Sequence, residues 1–565
     1  MQKTCANPWC KTSFEVTQDD LQFLEKISPV SGGKKELIPP PKLCPDCRMQ
    51  RRVSWRNERT LYKRTCNLTG ESIISMYSAE KPFPVYQQKK WWSDEWDPLN
   101  YGRDIALTAS FLDQFAALLR VVPVASLHNV LCEQNCDYVN IEYDDKNCFM
   151  CFGGGYCEDC EYGNVVIRSK NCVDCLKLNL CEQCYELMYS ERCNRCFFSQ
   201  NLQGCNNCWL CYDCQGCSDC FGCAGLRNKH HCFLNEQLSP GDYQAHMQEV
   251  QTGHFSHMQE HARRFRNDIL LKSIHRYARI LASEECIGDY ITNSQNCFHC
   301  FEVDESRDLK YVTLAEGLKD SRDCYITGWP AELCYDSMSQ CLNAYHNSFS
   351  NFCWDGSAEL LYCDHCFACQ HCFGCVGLRH RQYCILNKQY TKEAYERLVS
   401  QTIKHMRKTD DWGEFFPVSM SPFAYNETVA QEYFPMTKGE VLNRGWKWRE
   451  QKDEMPKANK VILAAELPNS IDDIPDDILN WAIQCEVTGR PFKITKQELG
   501  FYRQMKLSIP HLHPDERYDR RLALRNPRKL WGRKCMKCQK AIQTTYAPER
   551  PEIVFCEECY LKEVY

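Results

Sequence analysis

The chain has 565 residues, of which 43 are cysteine, and a formal net charge of −6 from 68 Lys and Arg against 74 Asp and Glu. The length provides for several domains with buried cores, and the near balance of charge excludes nucleic-acid binding by overall charge. No apolar run reaches the roughly 18 residues that a membrane span needs, and the N-terminus has no signal-peptide pattern. We therefore expect a cytoplasmic protein, not associated with membranes, whose reduced thiols bind metal or fill a core.

The cysteines lie in blocks that divide the sequence. Five precede residue 70, 33 lie between Cys132 and Cys384 in two dense blocks, and five follow residue 484. We interpret the blocks as two cysteine-rich units between two terminal modules. The predicted divisions are an N-terminal module (1–92), a linker with a capping helix (93–127), unit 1 (128–235), a helical segment (236–285), unit 2 (286–388), a helix and extended linker (389–483) and a C-terminal module (484–565).

The two terminal modules are copies of each other. Residues 43–66 and 512–535 are identical at 12 of 24 positions without a gap. Each copy has one complete set of four cysteines in two closely spaced pairs, which is the ligand pattern of a structural zinc ribbon. The predicted Zn²⁺ ligands are Cys5, Cys10, Cys44 and Cys47 in the first module and Cys535, Cys538, Cys556 and Cys559 in the second.

Each copy also retains the trace of a second set that has lost most of its cysteines. These positions are Cys66, Thr69, Gln87 and Lys90 in the N-terminal module and Cys485, Thr488, His513 and Glu516 in the C-terminal module. Four thiolates fill the tetrahedral shell of zinc and leave no position for a substrate. We therefore expect two structural zinc sites and no catalytic one.

An arginine-rich segment stands next to the cysteines in each module. On a helix, the arginines at 48, 52, 56 and 59 would share one face, and guanidinium groups in such a row suit bidentate binding of phosphate. Pairing with acidic groups of the same protein is an equal alternative. The predicted nucleic-acid-binding residues are Arg48, Arg51, Arg52, Arg56, Arg59, Arg517, Arg520, Arg521, Arg525 and Arg528.

Unit 1 repeats with a period of 24 residues, as in Cys148, Cys172 and Cys196. Short extended segments between turns rich in Cys, Asn and Gly favour a parallel β-solenoid with cysteines in vertical ladders. We expect buried, reduced thiols that act as small core residues; additional Zn²⁺ is the second interpretation, followed by disulfides and iron–sulfur clusters. The further candidate metal ligands are Cys148, Cys151, Cys157, Cys160, Cys172, Cys175, Cys181 and Cys184.

Unit 2 is a copy of unit 1. Six cysteines, from Cys211 to Cys232, recur 152 residues later, from Cys363 to Cys384. Unit 2 has only 13 cysteines, and Ser, Asp or Asn stand at several of the expected positions. This pattern favours core positions that accept any small residue, because zinc ligands are lost as complete sets.

Capping residues predict where helices begin. Ser239, followed by proline, predicts a helix after unit 1, and Thr391 predicts one after unit 2. An amphipathic helix is expected after Ser110. Together with the aromatic run that begins at Trp91, it is expected to cap the open end of unit 1.

One short segment fits a catalytic motif. His257, Glu260 and His261 have the H-x-x-E-H spacing of a zinc protease. The letters HMQE also occur eleven residues earlier, from His246, and Val250 stands there in place of the second histidine. The motif is therefore interpreted as a local repeat in a polar helix, and no catalytic residue is predicted.

Three segments resemble an uncharacterised family of cysteine-rich zinc-ribbon proteins found in candidate-phylum bacteria. They are Trp412–Pro435, Cys485–Phe492 and the ending from Cys535 to Tyr565. The resemblance extends over nearly the whole chain. It implies zinc ribbons and brings no activity, since none is established for the family.

Taken together, the sequence predicts a non-enzymatic zinc-binding scaffold, mostly β with added helices. Two cysteine-rich parallel β-solenoid units are flanked by duplicated zinc-ribbon modules that close both ends. The leading hypothesis is binding of nucleic acid, RNA before DNA, through the arginine segments. The alternatives are a structural protein that self-assembles into a homo-oligomer or binds a protein partner, and, third, a redox or metal-storage protein.

Overall fold

The structure is a computed structural model that describes residues 1–132, 134–450 and 455–565. It consists mostly of sheet with added helices, as predicted. The strands of unit 1 are Asn164–Ile167, Leu176–Asn179, Met188–Glu191, Asn206–Trp209, Ser218–Phe221 and His230–Phe233. Those of unit 2 are Ile287–Thr292, Gln295–Asp304, Arg307–Lys310, Thr313–Glu332, Tyr335–Gln340, Ala344–Tyr345, Asn351–Cys353, Ala358–Leu361, Gln370–Phe373, Gln382–Ile385 and Lys388–Gln389.

The terminal modules and linkers contain the α-helices. These are Gln18–Lys26, Pro45–Val53, Gln88–Trp91, Phe111–Leu119, Pro240–Val250, Phe255–Arg264, Lys392–Lys408, Val429–Tyr433, Lys438–Asn443, Lys496–Met505, Pro514–Ala523 and Glu557–Val564. Their strands are Gln2–Thr4, Ser13–Glu15, Val30–Ser31, Lys34–Lys35, Tyr62–Thr65, Ser72–Ser75, Val85–Tyr86, Val124–Ala125, Glu236–Gln237, Ile274–Arg276, Ile280–Leu281, Lys460–Leu463, Trp481–Gln484, Pro491–Phe492, Trp531–Lys534, Ala541–Thr544 and Ile553–Phe555. Short 3-10 or π turns are Pro98–Tyr101, Phe265–Ile269, Leu270–Lys272, Val418–Met420, Tyr425–Glu427, Ala464–Glu466, Ile471–Asp473 and Asp476–Asn480.

Strands in both units pair in parallel with a segment about twelve residues away. In unit 1, Cys208 is in register with Cys220, and Cys220 with Cys232. In unit 2, Cys372 is in register with Cys384. The 24-residue period of the sequence therefore spans two structural repeats. Parallel pairing agrees with the prediction, whereas the length of one repeat is half the predicted period.

Every third residue of a repeat faces the core of its unit. Cys214, Cys217 and Cys220 are each at most 1% exposed and belong to one buried cluster. The backbone bends just before many of the core-facing residues, at residues with positive φ such as Asn147 (52°) before Cys148 and Asp159 (54°) before Cys160. Asn, Asp and Gly tolerate this left-handed conformation best, which explains why they are common between the cysteines.

The buried thiols are hydrogen-bonded to backbone carbonyl groups. Cys208 Sγ donates to the carbonyl oxygen of Asn206 at 3.4 Å. Ser199 Oγ donates in the same way to the carbonyl oxygen of Phe197 at 2.8 Å. Serine can replace cysteine at such positions because both side chains are small and both donate to the carbonyl two residues earlier. All cysteines are free thiols.

The three predicted helix starts are confirmed. Ser110, Ser239 and Thr391 each accept a hydrogen bond from the backbone N–H three residues later, and each begins a helix. Such side-chain caps satisfy backbone donors that the first helical turn leaves unpaired.

The predicted cap of unit 1 packs on unit 2 instead. The ring of Phe111, in the helix after Ser110, lies 5.1 Å from the ring of Phe373. Trp91 lies 5.8 Å from Phe367. The prediction that these segments cap unit 1 is therefore wrong, because their aromatic side chains bury against the last repeats of unit 2.

The terminal modules pack crosswise against the two units. Phe23 of the N-terminal module lies 6.0 Å from Tyr335 of unit 2, in one core cluster. Tyr502 of the C-terminal module lies 5.5 Å from Tyr185 of unit 1, in another. Each module thus makes these core contacts with the unit that is farther from it in sequence. Each also contacts the nearer unit: Asn164 donates to Glu58 at 3.2 Å, and Thr545 donates to Asp289 at 2.6 Å.

Candidate metal centres and the arginine helices

Four cysteines of the N-terminal module meet at the start of the helix Pro45–Val53. The Sγ atoms of Cys5, Cys10, Cys44 and Cys47 all lie within 4.8 Å of one another. Cys44 is the N-cap residue of the helix and Cys47 lies in its first turn. The positive end of the helix dipole stabilises thiolates there. This geometry can hold one metal ion, as the sequence predicts.

The C-terminal module brings its four cysteines together in the same way. The Sγ atoms of Cys535, Cys538, Cys556 and Cys559 lie within 4.8 Å of one another. Cys556 is the N-cap residue of the helix Glu557–Val564, so this quartet also stands at a helix start. In the described part of the chain, these two quartets are the only groups of three or more such ligands with metal-binding spacing.

One thiol in each quartet ionises easily. Burial raises the pKa of Cys10, but hydrogen bonds with Thr12 outweigh it and bring the pKa to about 7. Burial likewise opposes ionisation of Cys535, yet the backbone N–H groups of Cys538 and Cys556 lower its pKa to about 6. In the same quartets, Cys47 and burial raise the pKa of Cys44, and burial raises the pKa of Cys559. Metal binding requires thiolates, so Cys10 and Cys535 are the first ligands available to a metal ion.

The two cysteines left over from the lost sets are buried and held by the backbone. Cys66 is 1% exposed, and its Sγ accepts the backbone N–H of Gln87 at 3.2 Å and that of Thr69 at 3.4 Å. Cys485 is 3% exposed. Neither belongs to a group with metal-binding spacing among the described residues, in agreement with the prediction of decayed sites.

The eight further candidate ligands in unit 1 do not form a quartet. Cys148 Sγ donates to the carbonyl oxygen of Cys157 at 3.6 Å, and Cys151 Sγ to that of Cys160 at 3.4 Å. These contacts are those of buried thiols hydrogen-bonded to the neighbouring repeat. The structure buries all eight in the core of unit 1, and among the described residues none belongs to a group with metal-binding spacing; they are Cys148, Cys151, Cys157, Cys160, Cys172, Cys175, Cys181 and Cys184.

The arginines of the N-terminal module are buried against unit 2. Arg48 donates to both carboxylate oxygens of Asp323, at 3.0 and 2.8 Å. Arg52, fully buried, donates to Asp336 at 2.6 Å, and Arg51 donates to the same carboxylate at 2.5 Å. Burial raises the pKa of Asp336, but these two guanidinium groups outweigh that effect and lower it.

The helix that carries these arginines is shorter than predicted. It ends at Val53, so Arg56 and Arg59 lie in the chain that follows and not on its face. Arg56 donates to Ser339 Oγ of unit 2 at 2.7 Å. Arg59 lies over the ring of Tyr518, 3.7 Å from its centroid, and thereby joins the two terminal modules.

The C-terminal module repeats the pattern on unit 1. Arg517 and Arg521 both donate to the carboxylate of Asp174, which is fully buried. Farther along, Arg528 is paired with Glu302 of unit 2, and Arg525 donates to the hydroxyl of Tyr433 at 2.5 Å. Arg48 and Arg517 are equivalent in the duplicated sequence, and each binds an aspartate of the unit on which its module packs.

These contacts bear on the prediction that the arginine segments bind nucleic acid, which stays a prediction. Nine of the ten side chains contact groups of the same chain in buried or half-buried positions, so they are not available to phosphates. Arg520 is the exception, with 57% of its side chain exposed and Glu516 at 3.4 Å. Sequence reasoning missed the acidic partners, because they are far away in sequence and nothing near them marks them.

The residues of the protease-like motif lie on the polar helix Phe255–Arg264. Glu260 is paired with Arg263 at 2.6 Å, and His257 Nδ1 lies 3.1 Å from Thr252 Oγ1. His261 packs edge-on against Phe221. The interpretation as a segment of polar helix agrees with these contacts.

Comparisons with known proteins do not assign a family, since no family model and no curated protein matches the chain. Among the described residues, no helix combines the length and the apolar character that crossing a bilayer requires.

Proposed function

We propose that the chain is a non-enzymatic scaffold in which two parallel β-solenoids are held together by two zinc ribbons. Parallel pairing at twelve-residue intervals, with a small buried residue at every third position, supports the solenoid. The two cysteine quartets support the ribbons. Zn²⁺ is the metal proposed, because four thiolates at tetrahedral spacing suit it and leave no open position for catalysis.

One observation carries this proposal: each quartet stands at the start of a helix that docks onto the rest of the chain. Cys47 is followed directly by Arg48, which binds Asp323 of unit 2. In the C-terminal helix Tyr560 donates to Asp213 of unit 1. A metal ion in either quartet would therefore fix the first turn of a helix whose next residues hold a unit in place.

Metal removal tests this proposal. Replacing Cys44→Ser should release one metal ion, loosen the helix Pro45–Val53 and open the N-terminal module to limited proteolysis. Cys66→Ser is the matched control, since Cys66 lies in the same module, is buried and is not part of the quartet. Equal protease resistance of both variants, with metal lost only from the first, would contradict a scaffold role for the metal.

We propose that such a scaffold acts by assembling into a homo-oligomer or by binding a protein partner. Assembly that persists at high salt, without the absorbance of nucleic acid, would support it in size-exclusion chromatography. Binding of RNA or DNA stays a prediction, and Arg520 is the exposed member of the predicted set. If RNA retention depended on Arg520, nucleic acid would replace the protein partner in this proposal.

A further inference from the structure

A cavity of about 320 Å³ lies between the two cysteine-rich units. One wall is formed by unit 1 around the strands Asn164–Ile167, Leu176–Asn179 and Met188–Glu191. The other is formed by unit 2 and the strand that leads into it, between Arg279 and Cys341. This volume is within the range of small-molecule sites. Trp329, which is 44% exposed, belongs to the second wall.

The walls of the cavity have an excess of negative charge. Four acidic residues and two basic residues line it. Both basic residues already have acidic partners: Arg279 pairs with Asp213 at 2.9 Å, and Lys177 lies 4.0 Å from Glu302. The other three acidic residues, Glu191, Asp304 and Glu316, have no ion pair within the described residues. Glu316 accepts a hydrogen bond from Trp329 Nε1 at 2.9 Å and Asp304 one from Asn293 Nδ2 at 3.3 Å, each through one carboxylate oxygen.

Two further polar atoms of the walls are buried without a hydrogen-bond partner. Thr327 is 3% exposed, and its hydroxyl oxygen has no partner in the described structure. The side-chain carbonyl oxygen of Asn179 is also buried and also has no hydrogen-bond partner in the described structure. Buried polar atoms are rarely left unpaired in proteins, so the lining holds two acceptors that no group of the described chain satisfies.

The three carboxyl groups that form no ion pair share the walls of the cavity with apolar side chains. Asp304 and Glu316 are in register on neighbouring parallel segments, about 4.8 Å apart. Glu191 lies on the opposite wall. Leu281 and Ile326 are among the apolar lining residues. A ligand that complements this surface carries several positive charges separated by hydrocarbon.

We propose that the cavity binds a linear aliphatic polyamine. Its ammonium groups would donate to Glu191, Asp304 and Glu316, and its methylene groups would pack on the apolar lining. Such charge-assisted hydrogen bonds are stronger than those between neutral groups. This site goes beyond the scaffold function and does not depend on it.

The ionisation of the carboxyl groups agrees with this ligand. Burial raises the pKa of Glu191, and the negative charge of Asp304 raises it further. Burial also raises the pKa of Asp304, and the charges of Glu305 and Glu316 act in the same direction. Binding of a cation would remove this repulsion and leave the carboxyl groups ionised.

Calorimetric titration with spermidine tests the proposal on the full-length, metal-loaded protein. We expect saturable binding of one molecule per chain that is weakened about tenfold or more by Glu191→Gln with Asp304→Asn. The matched control, Glu236→Gln with Glu285→Gln, removes two charges from exposed positions elsewhere and should bind as tightly as the original protein. Thermal unfolding of each variant shows that it is folded.

A second variant separates the cavity from general attraction of cations. Leu281→Trp keeps every charge but fills the space, and it should also weaken spermidine binding about tenfold or more. Mg²⁺ and neutral 1,8-octanediol should each compete poorly. Absence of saturable binding, equal weakening in the control variant, or full displacement by Mg²⁺ would overturn the proposal.

Discussion

Arg48 and Asp323 are 275 residues apart in sequence and form a bidentate ion pair with both side chains at most 4% exposed. Burial lowers the pKa of Arg48, but the carboxylate of Asp323 outweighs this and raises it. The pair joins the N-terminal module to unit 2. A pair this deeply buried is costly to break from one side, because Asp323 would keep only its longer contact with Arg52, at 3.5 Å.

We therefore expect Arg48→Ala to destabilise the protein by about 3–5 kcal/mol, measured by chemical denaturation. Arg520→Ala is the matched control in the duplicated segment. Its exposed side chain should contribute no more than about 0.5 kcal/mol. Similar effects of the two substitutions would contradict the claim that the ion pair of Arg48 holds the N-terminal module on unit 2.

Core positions of the units should accept serine and reject larger residues. Cys196 is fully buried and donates to the carbonyl oxygen of Asn194 at 3.4 Å. Cys196→Ser can make the same bond, as Ser199 does in its own position. We expect Cys196→Ser to cost less than about 1.5 kcal/mol, and Cys196→Leu, which overfills the core, to cost about 1–3 kcal/mol.

Thermal unfolding together with metal analysis checks this prediction. Both variants should retain all bound metal, because Cys196 is not part of a quartet. Loss of metal from Cys196→Ser would show that the thiols inside the units are ligands after all.

Stability should depend on pH through Glu432. Burial raises the pKa of this carboxyl group to about 7, and the charge of Glu58 adds to the rise, although Arg59 and Arg525 oppose it. The folded chain therefore binds this proton more tightly than the unfolded chain does. The contribution of Glu432 to stability rises as the pH falls from about 7 towards 4.5.

Glu432→Gln should accordingly stabilise the protein by about 1–2 kcal/mol at pH 8 and change little at pH 5. The amide oxygen can still accept the hydrogen bond that Tyr518 donates to Glu432 at 2.9 Å. Denaturation at the two pH values measures the difference. The exposed Glu285→Gln serves as control, and a pH-independent effect of Glu432→Gln would refute the assignment.

Features that depend on neighbouring residues could be predicted from the sequence. The quartets are predictable because cysteine pairs with two to four residues between them mark zinc sites. Ser239 and Thr391 predict helix starts because a cap acts within one turn, and the helix after Ser110 is predicted by its amphipathic pattern. The recurring cysteines predict the parallel pairing of strands, although the structural repeat is twelve residues long and not 24.

Features that depend on distant residues could not be predicted. Nothing beside Asp174, Asp323 or Asp336 in the sequence indicates that an arginine from another module will bind there. The composition of the arginine segment fits a phosphate-binding surface and fits equally well a set of buried ion pairs with acidic residues of the same chain. The burial that separates the two arises only when the modules pack crosswise, and the same packing carries Trp91 to unit 2.

The zinc content of the purified protein tests the central claim most directly. We predict two zinc ions per chain, one for each quartet, by elemental analysis of protein prepared under reducing conditions. Cys44→Ser and Cys556→Ser should each leave one, and Cys196→Ser should leave both. Clearly more than two ions per chain, or no loss on replacing a quartet cysteine, would contradict a scaffold held by two structural metal sites.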